Sequence, residues 1–200
     1  MGDHLFTVNK SSADFRLICF PYIGGYYASF NELKQNLEID IEMLVINPPG
    51  HGSNQEAPLD DIEDMVKLYL EEIEKLEPKK TLFLGYSFGA HVLYRLLCKI
   101  ESENIIQKPE AVIIAAADPP HITNLKKKKS TLSDKDFLNY ILTIGAIPEE
   151  LRNEDVLINM LMPSIKSDQK AMENVKCNNN KIDIPAHIFF SQDDNIIQKK

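Results

Sequence analysis

Residues 81–97 read TLFLGYSFGAHVLYRLL. An apolar run comes first, a GxSxG motif occupies residues 85–89, and a stretch with helical character follows. A serine on so tight a strand-to-helix turn leaves no room for side chains two residues away, and Gly85 and Gly89 remove them. The pattern predicts Ser87 as a nucleophile, with the amide of Phe88 facing the oxyanion. The alternative is an ordinary glycine-rich turn.

The composition predicts one domain over residues 1–200. The chain is 44% hydrophobic, and no Pro/Gly/Ser-rich linker divides it. With 30 acidic and 22 basic residues, its net charge of -8 argues against a nucleic-acid partner. The longest apolar run, residues 111–117, is too short to span a membrane, and no targeting signal is recognisable. The chain has three widely spaced cysteines: Cys19, Cys98 and Cys177. Their odd number and spacing predict reduced thiols, which are typical of a cytoplasmic protein.

Five apolar runs predict buried strands at residues 16–20, 42–46, 81–84, 111–117 and 186–190. They are almost continuous rather than alternating, as a parallel sheet covered on both faces requires. Residues 60–76 carry apolar side chains at helical spacing, and Ser29 with Glu32 forms a capping-box pattern before a short helix at 30–37. The alternation predicts an α/β fold, a mostly parallel sheet with helices on both faces.

Residues 118–181 interrupt this alternation. They contain no convincing strand, and they predict helices that open at Ser133 and that cover 154–161 and 168–175. Helices inserted late in an α/β sheet often form a lid over the site at the carboxyl ends of the strands. The alternative is an extra layer that packs on the core without a lid function.

The remaining catalytic groups are less well defined. In a serine hydrolase of this kind the acid follows a late strand, where Asp193 and Asp194 stand, although such a pair also forms turns and helix caps. No histidine follows Asp194, so the usual order of serine, acid and histidine cannot be completed within the 200 residues. His51 lies in a plausible loop and is a weak candidate for the base. The other histidines are poorer candidates: His4, His91, His121 and His187.

Two loops follow the first two predicted strands. In residues 20–25, FPYIGG, the two glycines let the backbone approach a ligand and supply a second oxyanion donor. Each such donor stabilises the transition state by about 3 kcal/mol. Residues 48–52, PPGHG, form a similar tight loop, which we interpret as a shaped turn without chemistry.

Taken together, these motifs resemble those of type II thioesterases from nonribosomal peptide and polyketide synthetase clusters, which have the α/β-hydrolase fold. The resemblance rests on five dispersed segments: residues 17–26, 48–52, 85–89, 119–121 and 162–168. It implies that Ser87 is the nucleophile, that Asp194 is the acid, and that Phe88 and Ile23 supply the oxyanion amides. The family usually has glycine at the position of Ser191, which leaves the choice between Asp193 and Asp194 open.

The resemblance further implies hydrolysis of acyl or aminoacyl thioesters on the phosphopantetheine arm of a carrier domain, by a monomer that needs no metal or diffusible cofactor. The family's histidine lies in a Gly-Gly-His segment before a carboxyl-terminal helix, and neither occurs before Lys200. We therefore expect a truncated chain that lacks the last strand and helix and is nearly inactive. The alternatives are a general acyl-coenzyme A thioesterase or esterase and a non-catalytic carrier-binding relative.

Residues 126–129 are four consecutive lysines. They are a candidate contact for the carrier or its phosphate, and the alternative is a solvated loop.

Overall fold

A six-stranded sheet organises the chain. The computed structural model describes residues 4–103, 106–120, 128–147, 149–175 and 180–192. The strands lie in the order β1-β3-β2-β4-β5-β6, with β2 to β6 parallel and β1 antiparallel to β3. Their bounds are Leu5–Asn9 (β1), Phe15–Phe20 (β2), Glu42–Ile46 (β3), Lys80–Tyr86 (β4), Ala111–Ala115 (β5) and Ala186–Phe189 (β6). The five predicted strands are confirmed to within a few residues, and β1 is an addition at the amino-terminal edge.

Clusters on both faces of the sheet cover β2, β3 and β4, which explains why these central strands are largely apolar, whereas β6 is exposed along its length. In β2, Ile18 and Phe20 face one buried cluster, whereas Leu17 and Cys19 face the other. The helices are α1 (Asn31–Asn36), α2 (Ile62–Glu74), α3 (Phe88–Glu103), α4 (Asp134–Thr143) and α5 (Asp155–Glu173). The last four contribute buried side chains to the cluster of Ile18, and α1 packs on the opposite one. The predicted arrangement of helices on both faces is confirmed.

The predicted start of the first helix is wrong in detail. Ser29 does not cap a helix at 30–37 but lies in a 3-10 turn, Tyr27–Phe30, that precedes α1. Its hydroxyl accepts the backbone N–H of Tyr26 at 3.0 Å. The serine thus satisfies a donor on its amino-terminal side, which the spacing to Glu32 could not indicate.

The insertion between β5 and β6 is helical, as predicted, but its last two predicted helices are one. α5 runs through Pro163, a residue that lacks the N–H needed for a helical hydrogen bond. The buried face of the helix, with Ile158, Met162 and Ile165 in the core, holds the segment together across that position. Ser133 caps α4 as expected, because its hydroxyl accepts the N–H of Asp136 at 3.2 Å.

Two further sequence expectations bear on the described residues. None of the helices described is both long and apolar enough to cross a membrane. Cys19 and Cys98 are free and buried, in agreement with the predicted thiols, and burial raises the pKa of both. Cys177 lies outside the described residues.

Candidate active site

Ser87 occupies the turn between β4 and α3. Its φ angle is 52°, a left-handed conformation that is uncommon for serine and stores strain of the order of 1 kcal/mol or more. Two backbone hydrogen bonds hold it: its N–H donates to the carbonyl of Ala115 at 2.8 Å, and its carbonyl accepts the N–H of Ala90 at 2.9 Å. The turn is therefore fixed to the neighbouring strand β5 and to the first turn of α3.

The two glycines of the motif are required by close backbone approach. A Cβ atom on Gly85 would lie 2.6 Å from Cα of Ala90. One on Gly89 would lie 2.1 Å from the carbonyl oxygen of Phe20, at the end of β2. Both distances are far below van der Waals contact, so the structure gives each glycine the role that the sequence predicted for it.

The two predicted oxyanion donors come from segments that touch each other. Phe88 is the first residue of α3, where backbone N–H groups have no partner within the helix. Ile23 is buried in the loop after β2, whose Tyr22 ring packs edge-on against the ring of Tyr86 with centroids 5.3 Å apart. Together with the contact of Gly89 on Phe20, this packing brings the loop of Ile23 against the turn of Ser87.

His51 is engaged away from the nucleophile. Its Nδ1 lies 2.9 Å from the carbonyl oxygen of Pro49, and its Nε2 lies 2.9 Å from Oδ2 of Asp168. Burial opposes the charged imidazole, but the charge and hydrogen bond of Asp168 and the Pro49 carbonyl raise its pKa above the ordinary value. With both nitrogens occupied, His51 has no free position from which to accept the proton of Ser87.

The other described histidines do not supply a base either. Within the described part of the chain, no histidine hydrogen-bonds to Ser87. His91 is buried on α3, and burial lowers its pKa to about 4 despite the opposing charge of Asp118. His187 is exposed on β6. His4 is buried, with Nε2 3.3 Å from Oε2 of Glu56; His121 lies outside the described residues.

The predicted acids Asp193 and Asp194 also lie outside the described residues. The strand that leads to them is described, and it runs parallel to β5, which in turn runs parallel to β4. Tyr86 pairs with Ala115, and Ala115 pairs with Phe189, so all three strands end at the same edge of the sheet. The chain therefore leaves β6 at the edge that carries Ser87.

Asp168 on α5 is a site residue that sequence reasoning missed. Its Oδ2 accepts the N–H of Gly24 at 2.8 Å, in addition to its contact with His51, and the residue is 2% exposed. Its Oδ1 is buried without a hydrogen-bond partner among the described residues. The only signal was its place at the end of residues 162–168, one of the segments behind the family resemblance, for which no role was inferred.

The arrangement suits acyl transfer by a nucleophilic serine. A hydroxyl on a strained turn can attack a carbonyl. The two predicted backbone amides can then stabilise the anion that forms. Among the described residues, no group of three or more His, Cys, Asp or Glu side chains is placed to hold a metal ion.

Comparison with known proteins places the chain in a family. The family model of the thioesterase domain matches residues 15–199. The chain belongs to the thioesterase family. Among curated relatives, the gramicidin S biosynthesis protein GrsT of Aneurinibacillus migulanus is 26% identical over 188 residues, which cover 93% of this chain and 73% of that protein. The human medium-chain S-acyl fatty acid synthase thioesterase is also 26% identical, over 83% of this chain and 64% of its own length.

Solved structures agree with this family assignment at the level of the fold. The type II thioesterase BorB from the borrelidin biosynthetic cluster superimposes with a TM-score of 0.83 at 21% identity, covering 99% of this chain and 79% of BorB. The parallel sheet, the Ser87 turn and the inserted helices of this thioesterase-family chain thus form an α/β-hydrolase fold.

Proposed function

We propose that this chain is a serine thioesterase that removes acyl or aminoacyl groups from the phosphopantetheine arm of carrier domains. The observation that carries the proposal is the left-handed, half-buried Ser87 at the carboxyl edge of the sheet, with the loop of Ile23 packed beside it. Relatives named for antibiotic biosynthesis and for fatty acid synthase support a thioester bound to a carrier.

In the proposed reaction, Oγ of Ser87 attacks the thioester carbonyl. The amides of Phe88 and Ile23 stabilise the oxyanion, each by about 3 kcal/mol. The carbon–sulfur bond then breaks, the phosphopantetheine thiol leaves with a proton, and the acyl group stays on Ser87 as an ester. Water hydrolyses that ester, which releases a carboxylic acid and restores the serine.

We assign the acid of this reaction to Asp194, with Asp193 as the alternative. Because no described histidine is placed to act as the base, we expect the 200-residue chain to turn over slowly. Removal of a triad member leaves about 10³- to 10⁴-fold acceleration over water, supplied by the oxyanion site and by binding. The acyl-enzyme on Ser87 is therefore the species to measure, rather than steady-state product.

The proposed partners are phosphopantetheinylated peptidyl or acyl carrier domains of a synthetase, which the chain meets as a monomer in the cytoplasm. The free, buried Cys19 and Cys98 are consistent with a reducing compartment. Two of the proposed carrier-contact lysines, Lys128 and Lys129, are described. Lys129 lies over the ring of Tyr140 at 5.2 Å, and Lys128 lines a surface groove with Lys166 and Lys170.

The test compares an acetyl-loaded carrier domain with acetyl-coenzyme A as donors to the chain and to its Ser87→Ala variant. Intact-protein mass spectrometry follows the acetyl adduct, and peptide mapping locates it. We expect an adduct on Ser87 that forms faster from the carrier than from coenzyme A, and none on the variant.

Each other outcome selects a different function. Equal rates from both donors would support a general acyl-coenzyme A thioesterase. Carrier binding without an adduct would support a non-catalytic carrier-binding relative. An adduct that persists in Ser87→Ala would refute the assignment of the nucleophile.

A further inference from the structure

A buried ion pair lies behind the loop that carries Ile23. His51 and Asp168 are 3% and 2% exposed, and their side chains meet at 2.9 Å. The pair joins the loop after β3 to the middle of α5, two segments separated by 117 residues. The same Asp168 oxygen reaches a third segment, because it accepts the N–H of Gly24. The reaction proposed above gives neither side chain a role.

The hydrogen bonds of His51 fix its protonation. One ring nitrogen faces the carbonyl oxygen of Pro49 and the other faces the Asp168 carboxylate, and both of these groups only accept. With Asp168 ionised, each nitrogen carries a hydrogen and the ring is an imidazolium, in agreement with the raised pKa of His51. The contact is a charge-assisted hydrogen bond, and such bonds are stronger and better oriented than neutral ones.

The segment that Asp168 holds is a tight turn. The N–H of Gly25 donates to the carbonyl of Tyr22 at 2.8 Å, and Gly24 has a φ angle of 76°. A positive φ at this position of a four-residue turn is typical of type II, in which the central peptide has one of two possible orientations. Here the central peptide joins Ile23 to Gly24, and its N–H points at Asp168.

The turn also packs directly on α5. A Cβ atom on Gly24 would lie 2.8 Å from Cγ1 of Ile165, one turn of α5 before Asp168. The turn is thus held by a close apolar contact and by a hydrogen bond to a carboxylate whose own direction is fixed by His51. A change in either contact alters the position of the backbone at Ile23.

The pair is not optimal for stability alone. The second oxygen of Asp168 has no hydrogen-bond partner in the part of the chain that the structure describes. An unsatisfied buried acceptor destabilises a fold, and buried ion pairs are often no more stabilising than apolar residues of similar size. This arrangement is more readily explained by a requirement for the backbone geometry at Gly24.

We propose that Asp168, oriented by His51, is a positioning residue for the oxyanion site. It fixes the Ile23–Gly24 peptide and thereby the amide of Ile23, without touching the substrate. The proposal rests on the proposed function, in which that amide stabilises the oxyanion. It gives α5, the last of the inserted helices described, a direct connection to the reacting centre.

The test uses Asp168→Asn, Asp168→Leu and a matched control, Glu173→Gln. Glu173 is also a carboxylate on α5 that accepts backbone N–H groups, from Lys129 and Ser130, but it does not reach Gly24. Asparagine keeps an oxygen that can accept the Gly24 N–H, whereas leucine removes it. Thermal unfolding first establishes which variants are folded, and Asp168→Asn covers the case in which Asp168→Leu is not.

Two quantities are then measured. The first is hydrogen exchange of the Gly24 amide by NMR, which we expect to accelerate at least tenfold in Asp168→Leu and not in Glu173→Gln. The second is single-turnover acetylation of Ser87 by an acetyl-loaded carrier domain. A misplaced oxyanion donor should slow acetylation at saturating carrier by about 10- to 100-fold, with little change in the carrier concentration at half-maximal rate. Asp168→Asn should recover most of the lost rate.

The outcomes separate this inference from the proposed function. A folded Asp168→Leu that acetylates at the unsubstituted rate would overturn the positioning role. So would a loss of rate that Glu173→Gln shares, since that would indicate a general effect on α5. If the unsubstituted chain is never acetylated, the proposed function fails, and Gly24 exchange still decides whether Asp168 fixes the turn.

Discussion

Replacement of Gly89 by alanine should separate the start of α3 from the end of β2. The added Cβ would lie 2.1 Å from the carbonyl oxygen and 2.5 Å from the carbonyl carbon of Phe20, and 2.6 Å from the carbonyl oxygen of Pro21. These are backbone atoms, so no side-chain rotation relieves the overlap. The two segments must move apart by about 1 Å to restore ordinary van der Waals separations.

This movement has two expected consequences. Overpacking of a well-packed core destabilises by about 1–3 kcal/mol, and we expect the upper end because β2 pairs with strands on both sides. The displaced residues lead directly into the loop of Ile23. Because a misplacement of about 1 Å can slow an enzymatic step about 100-fold, acetylation of Ser87 should fall by a factor of that order.

Gly145→Ala is the control. Gly145 has a φ angle of 70°, and no heavy atom lies within 4 Å of the position its Cβ would take. Alanine at this position adds left-handed backbone strain without steric overlap, and we expect it to destabilise the fold by about 1–2 kcal/mol. Urea unfolding and single-turnover acetylation of both variants check the reasoning. It would be refuted if Gly89→Ala were no less stable than Gly145→Ala and acetylated at the unsubstituted rate.

Further predictions concern pH, the core and carrier docking. Folding lowers the pKa of His91 from 6.5 to about 4, so the unfolded chain binds more protons between these two values. The free energy of unfolding in urea should therefore fall by up to about 3 kcal/mol as the pH drops through this window. The decrease should be smaller in His91→Leu. The raised pKa of His51 gives stability the opposite pH dependence: the stabilisation is complete below pH 6.5 and is lost as pH rises through the folded pKa. Unfolding of His51→Gln at pH 6 to 9 checks this. Phe137→Ala, at a fully buried position, should destabilise by about 3–5 kcal/mol in the same assay. Glutamine at residues 126–129 should slow acetylation of Ser87 by subsaturating loaded carrier at low salt, and an unchanged rate would exclude docking there.

The parallel strands, including the exposed β6, could be predicted because each is a nearly continuous apolar run, which in β2, β3 and β4 reflects burial on both faces. β1 could not, since its sequence LFTVN mixes apolar and polar residues and its side chains are mostly half-buried. It is antiparallel to β3 and lies at the edge of the sheet. Near the start of a chain such a short mixed segment gives no signal that distinguishes an edge strand from a frayed terminus.

The helix α5 shows the limit of a local rule. The sequence predicts two helices, at 154–161 and 168–175, and Pro163 between them locally disfavours the single helix that the structure shows. The rule ignores what the helix buries: Ile158 and Ile165, on either side of the proline, are 5% and 1% exposed. Tertiary packing stabilises the continuous helix, and packing between distant segments is not visible in a window of sequence.

At the site, the parts encoded locally were the ones that could be predicted. The Ser87 turn needs five consecutive residues, and the spacing of its glycines follows from sterics. The contact between His51 and Asp168 joins residues 117 positions apart, so no spacing rule reveals it. The sequence therefore makes His51 a weak candidate for the base, whereas in the structure its two ring nitrogens face the carbonyl of Pro49 and Asp168 on α5.

The position of Asp168 bears on how the inserted helices can act as a lid. If α5 swung away from the sheet, it would break the hydrogen bond to Gly24 and withdraw Ile165 from the same turn, which would move the backbone of the proposed oxyanion donor. The helix also contributes fully buried side chains such as Ala171 to the main core. We therefore expect α5 to serve as a fixed wall of the site, with substrate entry governed by other parts of the insertion. Hydrogen exchange should then show α5 protected to the same degree with and without a loaded carrier, and faster exchange in α5 than in α3 would contradict this view.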